Sequence, residues 1–229
     1  MTVLVLVFAV AYLCSGATSL TTSRTTASPV SARGFTVYFV VDGSESISDS
    51  NFRKIKDALN HFVLTNQSIG SAVRTGVVIY SNNVSTTIPV SSNITALSTE
   101  INKVSQPSSG TFTHLGIQRA SVFLSKEPGD TSRVMIVMTD GLSNYPINTE
   151  AAAAEARNSG ITIFSVGVNP LLNFPSSPYK RRFETELRSI ASSNETVFQV
   201  ENFSTLSDTM DRILEILPSS KGKIASNQS

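Results

Sequence analysis

Four predominantly apolar runs constrain the fold of this chain more than any other feature of its sequence. Each run has the length of one strand and lacks the polar alternation of a half-exposed strand, which is typical of a parallel sheet covered on both faces. Segments with helical periodicity lie between the runs, and this alternation favours a doubly wound α/β domain. The runs are residues 37–41, 73–80, 134–138 and 161–168.

The segments around these runs complete the predicted architecture. Helices are predicted where apolar residues recur between 52 and 63, over 148–160 with a capping Asn148 and a terminal Gly160, and over 203–217. Residues 84–90 follow a tight turn and are predicted as an antiparallel edge strand, where Pro89 is tolerated. We therefore expect a six-stranded, mostly parallel sheet with one antiparallel edge strand and helices on both faces.

The first apolar run leads directly into a carboxylate and two hydroxyls on alternate residues, Asp42, Ser44 and Ser46. Alternate residues can face the same way, so their oxygens can converge just beyond the carboxyl end of the strand, where ligands bind in open α/β sheets. A hard cation such as Mg²⁺ takes oxygen ligands in near-octahedral geometry. One charged and two neutral oxygens make only part of such a shell.

Two later segments could supply further ligands. Residues 110–116 form a glycine-bounded loop with two hydroxyls, Thr111 and Thr113, and the strand at 134–138 leads to Asp140. Taken singly, Ser and Asp after a strand are ordinary turn and N-cap residues. His114 is interpreted as a packing or hydrogen-bonding residue beside the loop, because imidazole suits zinc or copper better than a hard oxygen site.

In this order the three segments resemble the von Willebrand factor A domain family, whose metal-ion-dependent adhesion site has the pattern Asp-x-Ser-x-Ser, then Thr, then Asp. The resemblance covers residues 35–217. It implies that the serines and the threonine coordinate the metal directly and that the aspartates coordinate it or hold its waters. Thr111 is preferred over Thr113 because it has the family's spacing to Gly116. The implied site residues are Asp42, Ser44, Ser46, Thr111 and Asp140.

The resemblance also implies a function. The expected cofactor is Mg²⁺, or Mn²⁺ or Ca²⁺, and an acidic residue of an extracellular-matrix or cell-surface protein is expected to fill its open coordination position. One alternative is a structural constituent of a secreted or mineralised matrix, or of a secretion such as venom or mucus, with the metal site secondary. A remoter alternative is a metal-assisted hydrolase, in which a Ser-His-Asp set would have to place His114 beside Ser44 or Ser46.

The chain divides by composition into four parts. Residues 1–19 are predicted as a signal peptide, because an apolar run is followed by small residues. Residues 20–33 read as a Ser/Thr-rich linker, residues 34–217 as the domain and residues 218–229 as a polar tail. Cys14, the only cysteine, lies in the predicted signal peptide, so no disulfide-linked partner is expected. We expect a secreted, extracellular, non-enzymatic protein with no membrane span.

Charge and further motifs refine this picture. Lys and Arg number 18 against 17 Asp and Glu, which argues against nucleic-acid binding. Residues 169–182 are predicted as a long loop that ends in a basic run, Lys180-Arg181-Arg182. Six sequons are candidate N-glycosylation sites, at Asn66, Asn83, Asn93, Asn194, Asn202 and Asn227.

Overall fold

The structure is a computed structural model, and it describes residues 34–68, 73–168 and 177–217. The predicted signal peptide, linker and polar tail, together with Asn227, lie outside these residues.

The sheet has six strands in the order β3-β2-β1-β4-β5-β6. All neighbouring pairs are parallel except β2 and β3, which are antiparallel, so the predicted mixed sheet is confirmed. Pro89 is exposed on β3, at the edge of the sheet, where its missing N–H disrupts no ladder. The strands are β1 Phe35–Asp42, β2 Val73–Tyr80, β3 Val84–Ser91, β4 Ser132–Thr139, β5 Ile161–Val168 and β6 Val197–Val200.

Helices cover both faces of the sheet, as predicted. Alternate residues of β1 enter two separate apolar cores: Phe39 joins one that includes residues of α1, α2 and α6, and Tyr38 joins one that includes residues of α3 and α4. The α-helices are α1 Asp49–Ser68, α2 Ile94–Lys103, α3 Thr113–Leu124, α4 Pro146–Asn158, α5 Pro178–Ile190 and α6 Leu206–Ile216, with short 3₁₀ turns at Asn194–Thr196 and Phe203–Thr205.

The strand order reverses direction at β1, because the chain adds β2 on one side of it and β4 on the other. Between the carboxyl ends of β1 and β4 the following loops diverge and leave a crevice, which is where open α/β sheets bind ligands. Asp42 ends β1, and Asp140 immediately follows β4. The topology therefore places two of the predicted site residues at this crevice.

Two predicted boundaries are wrong. Residues 178–182 belong to α5 rather than to a loop, because Pro178 stands at the first helical position and the Ser177 hydroxyl accepts a hydrogen bond from the Lys180 N–H at 3.4 Å. Helix α4 begins at Pro146 rather than near Asn148, again because proline is pre-organised for a first turn.

Asn66 is unsuited to carry a glycan. Its side chain is 4 % exposed, and its amide nitrogen donates a hydrogen bond to the Val73 carbonyl at 3.1 Å. A sugar on that nitrogen would not fit in the protein interior, so the burial of Asn66 argues against glycosylation at this sequon. The other described sequons have exposed asparagines, namely Asn83, Asn93, Asn194 and Asn202.

No described helix has the length and apolar character needed to cross a bilayer.

Candidate metal centre

The carboxylate of Asp42 is buried and held from two sides. Its Oδ1 accepts a hydrogen bond from the Ser44 N–H at 2.8 Å, and its Oδ2 accepts one from the Thr139 hydroxyl at 2.7 Å. Thr139 also contacts Gly141, so the end of β4 fixes the carboxylate at the end of β1. Asp42 is 0 % exposed, and its orientation is set by the two strand ends rather than by solvent.

A chain of oxygen atoms leads outward from this point. The hydroxyls of Ser44 and Ser46 lie 3.0 Å apart, and the Ser46 hydroxyl donates to Oδ1 of Asp140 at 2.6 Å. Ser44 is buried, Asp140 is half-buried and Ser46 is exposed, so the chain runs from the protein interior to the surface. The structure thus brings together four of the five predicted site residues through these contacts.

Thr111 is positioned by its backbone on a neighbouring loop. Its N–H donates to the Asn144 side-chain oxygen at 2.6 Å, and its carbonyl accepts from the Asn144 N–H at 2.9 Å. The same loop is tied to the β1 loop, because Glu45 N–H donates to the Ser109 carbonyl at 2.9 Å. Within the described part of the chain the Thr111 hydroxyl has no hydrogen-bond partner, so it is available to a ligand.

Thr113 has a different environment. It is 0 % exposed, and its hydroxyl accepts a hydrogen bond from the buried Tyr80 phenol at 3.2 Å. One turn later Gly116 packs against the same ring, where a Cβ would lie 2.7 Å from Tyr80 Cδ1 and 2.7 Å from Val40 Cγ1. The missing side chain lets α3 approach β1 and β2 closely. Thr113 and Gly116 therefore anchor the loop, and Thr111 projects from it.

The two carboxylates of the site lie in an environment that disfavours their charged forms. Burial raises the pKa of the Asp42 carboxyl to about 6, hydrogen bonds from Thr139 and Ser44 oppose this rise, and repulsion from Asp140 adds to it. Burial also raises the pKa of Asp140, against an opposing hydrogen bond from Ser46. Among the described residues no lysine or arginine forms an ion pair with either carboxylate. A bound cation would stabilise both ionised groups.

The oxygen atoms fit a small hard cation. Adjacent ligands of an octahedral ion with bonds of about 2.1 Å lie about 3.0 Å apart, and the Ser44 and Ser46 hydroxyls have this separation. In the described ranges no group of three His, Cys, Asp or Glu side chains is arranged as a metal site. The donors that do converge are hydroxyl and carboxylate oxygens, which suit Mg²⁺, Mn²⁺ or Ca²⁺ better than softer metals.

His114 lies beside the site but does not join it. Its ring stacks on Phe112 with centroids 6.1 Å apart and meets Tyr145 edge-on at 5.6 Å. Burial lowers the pKa of the imidazole, and its Nδ1 has no hydrogen-bond partner among the described residues. The hydroxyls of Ser44 and Ser46 contact each other and Asp140 instead of the imidazole. His114 is therefore a packing residue, as the sequence indicated.

Sequence reasoning missed three residues that shape the site. Thr139 orients Asp42, and Asn144 fixes the Thr111 loop. The Gln106 amide donates to the carbonyls of Ser44 and Ile47 at 2.9 and 2.6 Å and so holds the β1 loop closed. Thr139 could have been found from its place just before Asp140. Asn144 and Gln106 act from loops whose sequence carries no pattern that would identify them.

Comparison with known proteins agrees with this geometry. The family model of the von Willebrand factor type A domain matches residues 36–212. The mouse collagen alpha-4(VI) chain is 29 % identical over 191 residues, which are 81 % of this chain and 8 % of that protein. Human matrilin-1 is 32 % identical over 180 residues, covering 73 % of this chain and 34 % of matrilin-1. The chain thus spans a minor part of the length of both relatives.

A solved structure shares the fold at low sequence identity. Proximal thread matrix protein 1 from the mussel byssus, in a form described as having a zinc-occupied MIDAS motif, superposes with a TM-score of 0.67 at 21 % identity. The match covers 80 % of this chain and 48 % of that one. With the family model matching most of the described domain and the strand order of a doubly wound sheet in place, the chain belongs to the von Willebrand factor type A domain family.

Proposed function

We propose that this domain is a secreted, divalent-metal-dependent adhesion module that binds an acidic group of an extracellular-matrix or cell-surface protein. The observation that carries the proposal is the chain of oxygens from buried Asp42 through Ser44 and Ser46 to Asp140 at the open edge of the sheet. Its relatives include collagen VI chains and matrilins, which are extracellular matrix proteins. This relationship supports an extracellular adhesive role over an intracellular one.

Each residue has a distinct part in the proposed mechanism. Ser44, Ser46 and Thr111 present neutral hydroxyls, while Asp42 and Asp140 supply the negative charge that retains a cation. A bound Mg²⁺, Mn²⁺ or Ca²⁺ would supply an electrophilic position for a partner carboxylate. Thr139 and the Ser44 N–H keep Asp42 fixed, so little side-chain ordering is required when a ligand arrives.

Neutral protein ligands make the site suited to an acidic partner. The two carboxylates only balance the charge of a divalent cation, and the other ligands are neutral hydroxyls, so a partner carboxylate would meet no net negative charge at the open coordination position. Ser46 is exposed, so a partner can reach this edge.

An ester or phosphate hydrolase would need an activated nucleophile, and neither serine hydroxyl is paired with His114 within the described residues. The contacts therefore favour binding over turnover.

The test is a metal titration followed by capture of a partner. Isothermal titration with Mg²⁺ and Mn²⁺ should show one site in the wild type that is strongly weakened in Ser46→Ala, because this variant loses both a ligand hydroxyl and the hydrogen bond that holds Asp140. The matched control is Ser50→Ala, because Ser48 and Ser50 form a similar exposed hydroxyl pair at 3.0 Å where α1 begins. Retention on extracellular-matrix extract should then require Mg²⁺ and be abolished by chelator. Retention that survives chelation would contradict the proposal.

We further propose that the exposed sequon asparagines carry the N-linked glycans. The Oδ1 atoms of Asn93 and Asn202 cap helical turns by accepting hydrogen bonds from Ala96 and Ser204 N–H groups at 3.0 and 2.9 Å. Capping uses the oxygen, so the amide nitrogen remains available to a sugar. Peptide mapping of protein from a secreting cell line, before and after glycosidase, should find glycan at some of Asn83, Asn93, Asn194 and Asn202 and none at Asn66.

A further inference from the structure

A cleft of about 490 Å³ lies between the loop after β4 and helices α4 and α5. It is next to the edge of the sheet that carries the proposed metal centre, which we call the metal edge. Its walls include the apolar side chains of Leu142, Pro146 and Pro178, and Glu186 of α5 also lines it. Glu186 is only 7 % exposed and forms no ion pair with another described residue, which is unusual for a carboxylate. No residue of the proposed metal centre lines this cleft.

Glu186 has one oxygen satisfied and one unsatisfied. Its Oε1 accepts a hydrogen bond from the Ser143 N–H at 2.8 Å. Its Oε2 is buried and has no hydrogen-bond partner among the described residues. Burial raises the pKa of this carboxyl, while Ser143 and the positive charge of Arg182 oppose the rise. A buried acceptor left unpaired is costly, so it marks a place where a donor is missing.

The rest of the cleft narrows the chemistry of that donor. The exposed polar side chains at its rim are Glu150, Arg181, Arg182 and Thr185. Rim charges in water contribute little, whereas a desolvated carboxylate at close range contributes much more. Proline and leucine walls suit the methylene stem of a long side chain, and the buried oxygen suits its charged nitrogen end.

The cleft is linked to the metal edge through one residue. Ser143 donates its N–H to Glu186 and its hydroxyl to the Thr111 carbonyl at 3.3 Å. Ser143 therefore supports both the loop that carries Thr111 and the floor of the cleft.

We propose that the cleft binds a lysine or arginine side chain of the partner whose acidic residue binds at the metal edge, so that recognition requires an acidic and a basic group together. The inference rests on the proposed function for the identity of the partner, but cation binding in the cleft does not need the metal.

The first experiment uses methylguanidinium as a probe, with EDTA present and ionic strength held constant. Heteronuclear NMR of the ¹⁵N-labelled protein should show saturable shifts centred on the amides of Ser143 and Glu186. Tetramethylammonium, which has the same charge and no N–H donor, should leave these amides unchanged. Equal shifts with both cations, or shifts confined to other surfaces, would overturn the proposal.

Two matched variants sharpen the result. Glu186→Gln keeps the shape and an acceptor for the Ser143 N–H but removes the charge, and it should weaken methylguanidinium binding by at least about tenfold. Glu150→Gln removes an exposed rim carboxylate and should have a much smaller effect. If both variants bind the probe as the wild type does, the assignment of Glu186 is wrong. If circular dichroism shows that Glu186→Gln does not fold, the test is the comparison of methylguanidinium with tetramethylammonium on the wild-type protein.

A second readout separates this inference from the proposed function. Glu186→Gln should bind Mg²⁺ with wild-type affinity yet be retained less on matrix extract in Mg²⁺. If the wild type does not bind Mg²⁺, the adhesion mechanism is wrong, but the NMR evidence for cation binding in the cleft is unaffected. Normal retention of a folded Glu186→Gln variant would overturn the proposed role in partner recognition.

Discussion

The two ends of the parallel sheet hold carboxylates with different kinds of partner. At the amino end of β1 and β2, Glu127 accepts a hydrogen bond from Thr36 at 2.7 Å and forms an ion pair with Arg74. At the carboxyl end of β1 and β4, Asp42 and Asp140 accept hydrogen bonds from hydroxyl and N–H groups, and neither forms an ion pair with another described residue. The carboxylate at one end is therefore paired with an arginine, and those at the other end are paired with no described basic side chain.

This difference is the one expected between a structural cluster and a functional site. A carboxylate paired with arginine needs nothing further, because its charge and hydrogen bonds are already satisfied. A pair of neighbouring carboxylates without a cation is destabilised by burial and by mutual repulsion, and a strongly shifted pKa in a crevice is typical of functional sites. The predictions below test whether the two ends differ as this comparison requires.

The largest effect is expected from Asp42→Asn at the carboxyl end. The substitution keeps the shape of the side chain but removes the buried charge, so Mg²⁺ affinity should fall by at least about a hundredfold. Asp42→Ala should also abolish binding, with more damage to stability because the Thr139 hydroxyl and the Ser44 N–H lose their acceptor. Calorimetric titration with circular dichroism measures both. Unchanged affinity in a folded variant would refute the site.

The second prediction concerns pH. Burial raises the folded-state pKa of Asp42 to about 6, so below that pH the folded metal-free domain binds more protons than the unfolded chain. Its free energy of unfolding should therefore fall as pH rises from about 4 to 6, by up to about 3 kcal/mol from this group. Saturating Mg²⁺ should recover stability at pH 7, because the cation favours the ionised form.

Urea unfolding in chelator at several pH values measures this dependence. The difference between wild type and Asp42→Asn isolates the contribution of the one carboxyl, since the asparagine cannot titrate. Greater stability of the chelated wild type at pH 7 than at pH 5, relative to that variant, would show that Asp42 is not held in a charge-disfavouring environment.

The third prediction applies to the amino end. Glu127→Gln removes the charge that pairs with Arg74 but keeps an oxygen for the Thr36 hydroxyl. We expect a loss of about 1–3 kcal/mol in the free energy of unfolding, with Mg²⁺ affinity unchanged. Denaturant titration and calorimetry provide the two measurements. A drop in metal affinity here would mean that the two ends of the sheet are coupled rather than separate.

Among the proposed metal ligands, the smallest effect on metal and ligand binding is expected at Thr111. A water molecule can replace the lost hydroxyl in Thr111→Ala, so binding should weaken only a few-fold, by about 1 kcal/mol. Thr113→Ala should leave metal binding closer to wild type and lower stability instead, because its hydroxyl is the buried partner of Tyr80. Asp140→Ala should be at least as damaging to binding as Thr111→Ala. If Thr113→Ala is the more harmful change to binding, the choice of threonine is wrong.

The sequence by itself determined the architecture and the location of the site. Predominantly apolar runs that alternate with helical periodicity favour a sheet buried on both faces, and a carboxylate placed directly after such a strand lies at the carboxyl edge of the sheet. The run before Asp42 and the run before Asp140 were sufficient to place both groups. The edge position of β3 followed from a short turn and one proline, which are local signals.

The tertiary structure decided features that depend on residues distant in the chain. Burial of Asn66, the support of Thr111 by Asn144 and the unpaired oxygen of Glu186 all arise where separate segments meet. The short strand β6 and the start of α5 at Pro178 were also not located from the pattern. Periodicity reports which face of an element is apolar, because that is a local property. The partners of a buried polar group come from segments that are distant in the chain. Only the packed domain could therefore show that the carboxylate at one end of the sheet pairs with an arginine and that those at the other end accept hydrogen bonds from hydroxyl and N–H groups.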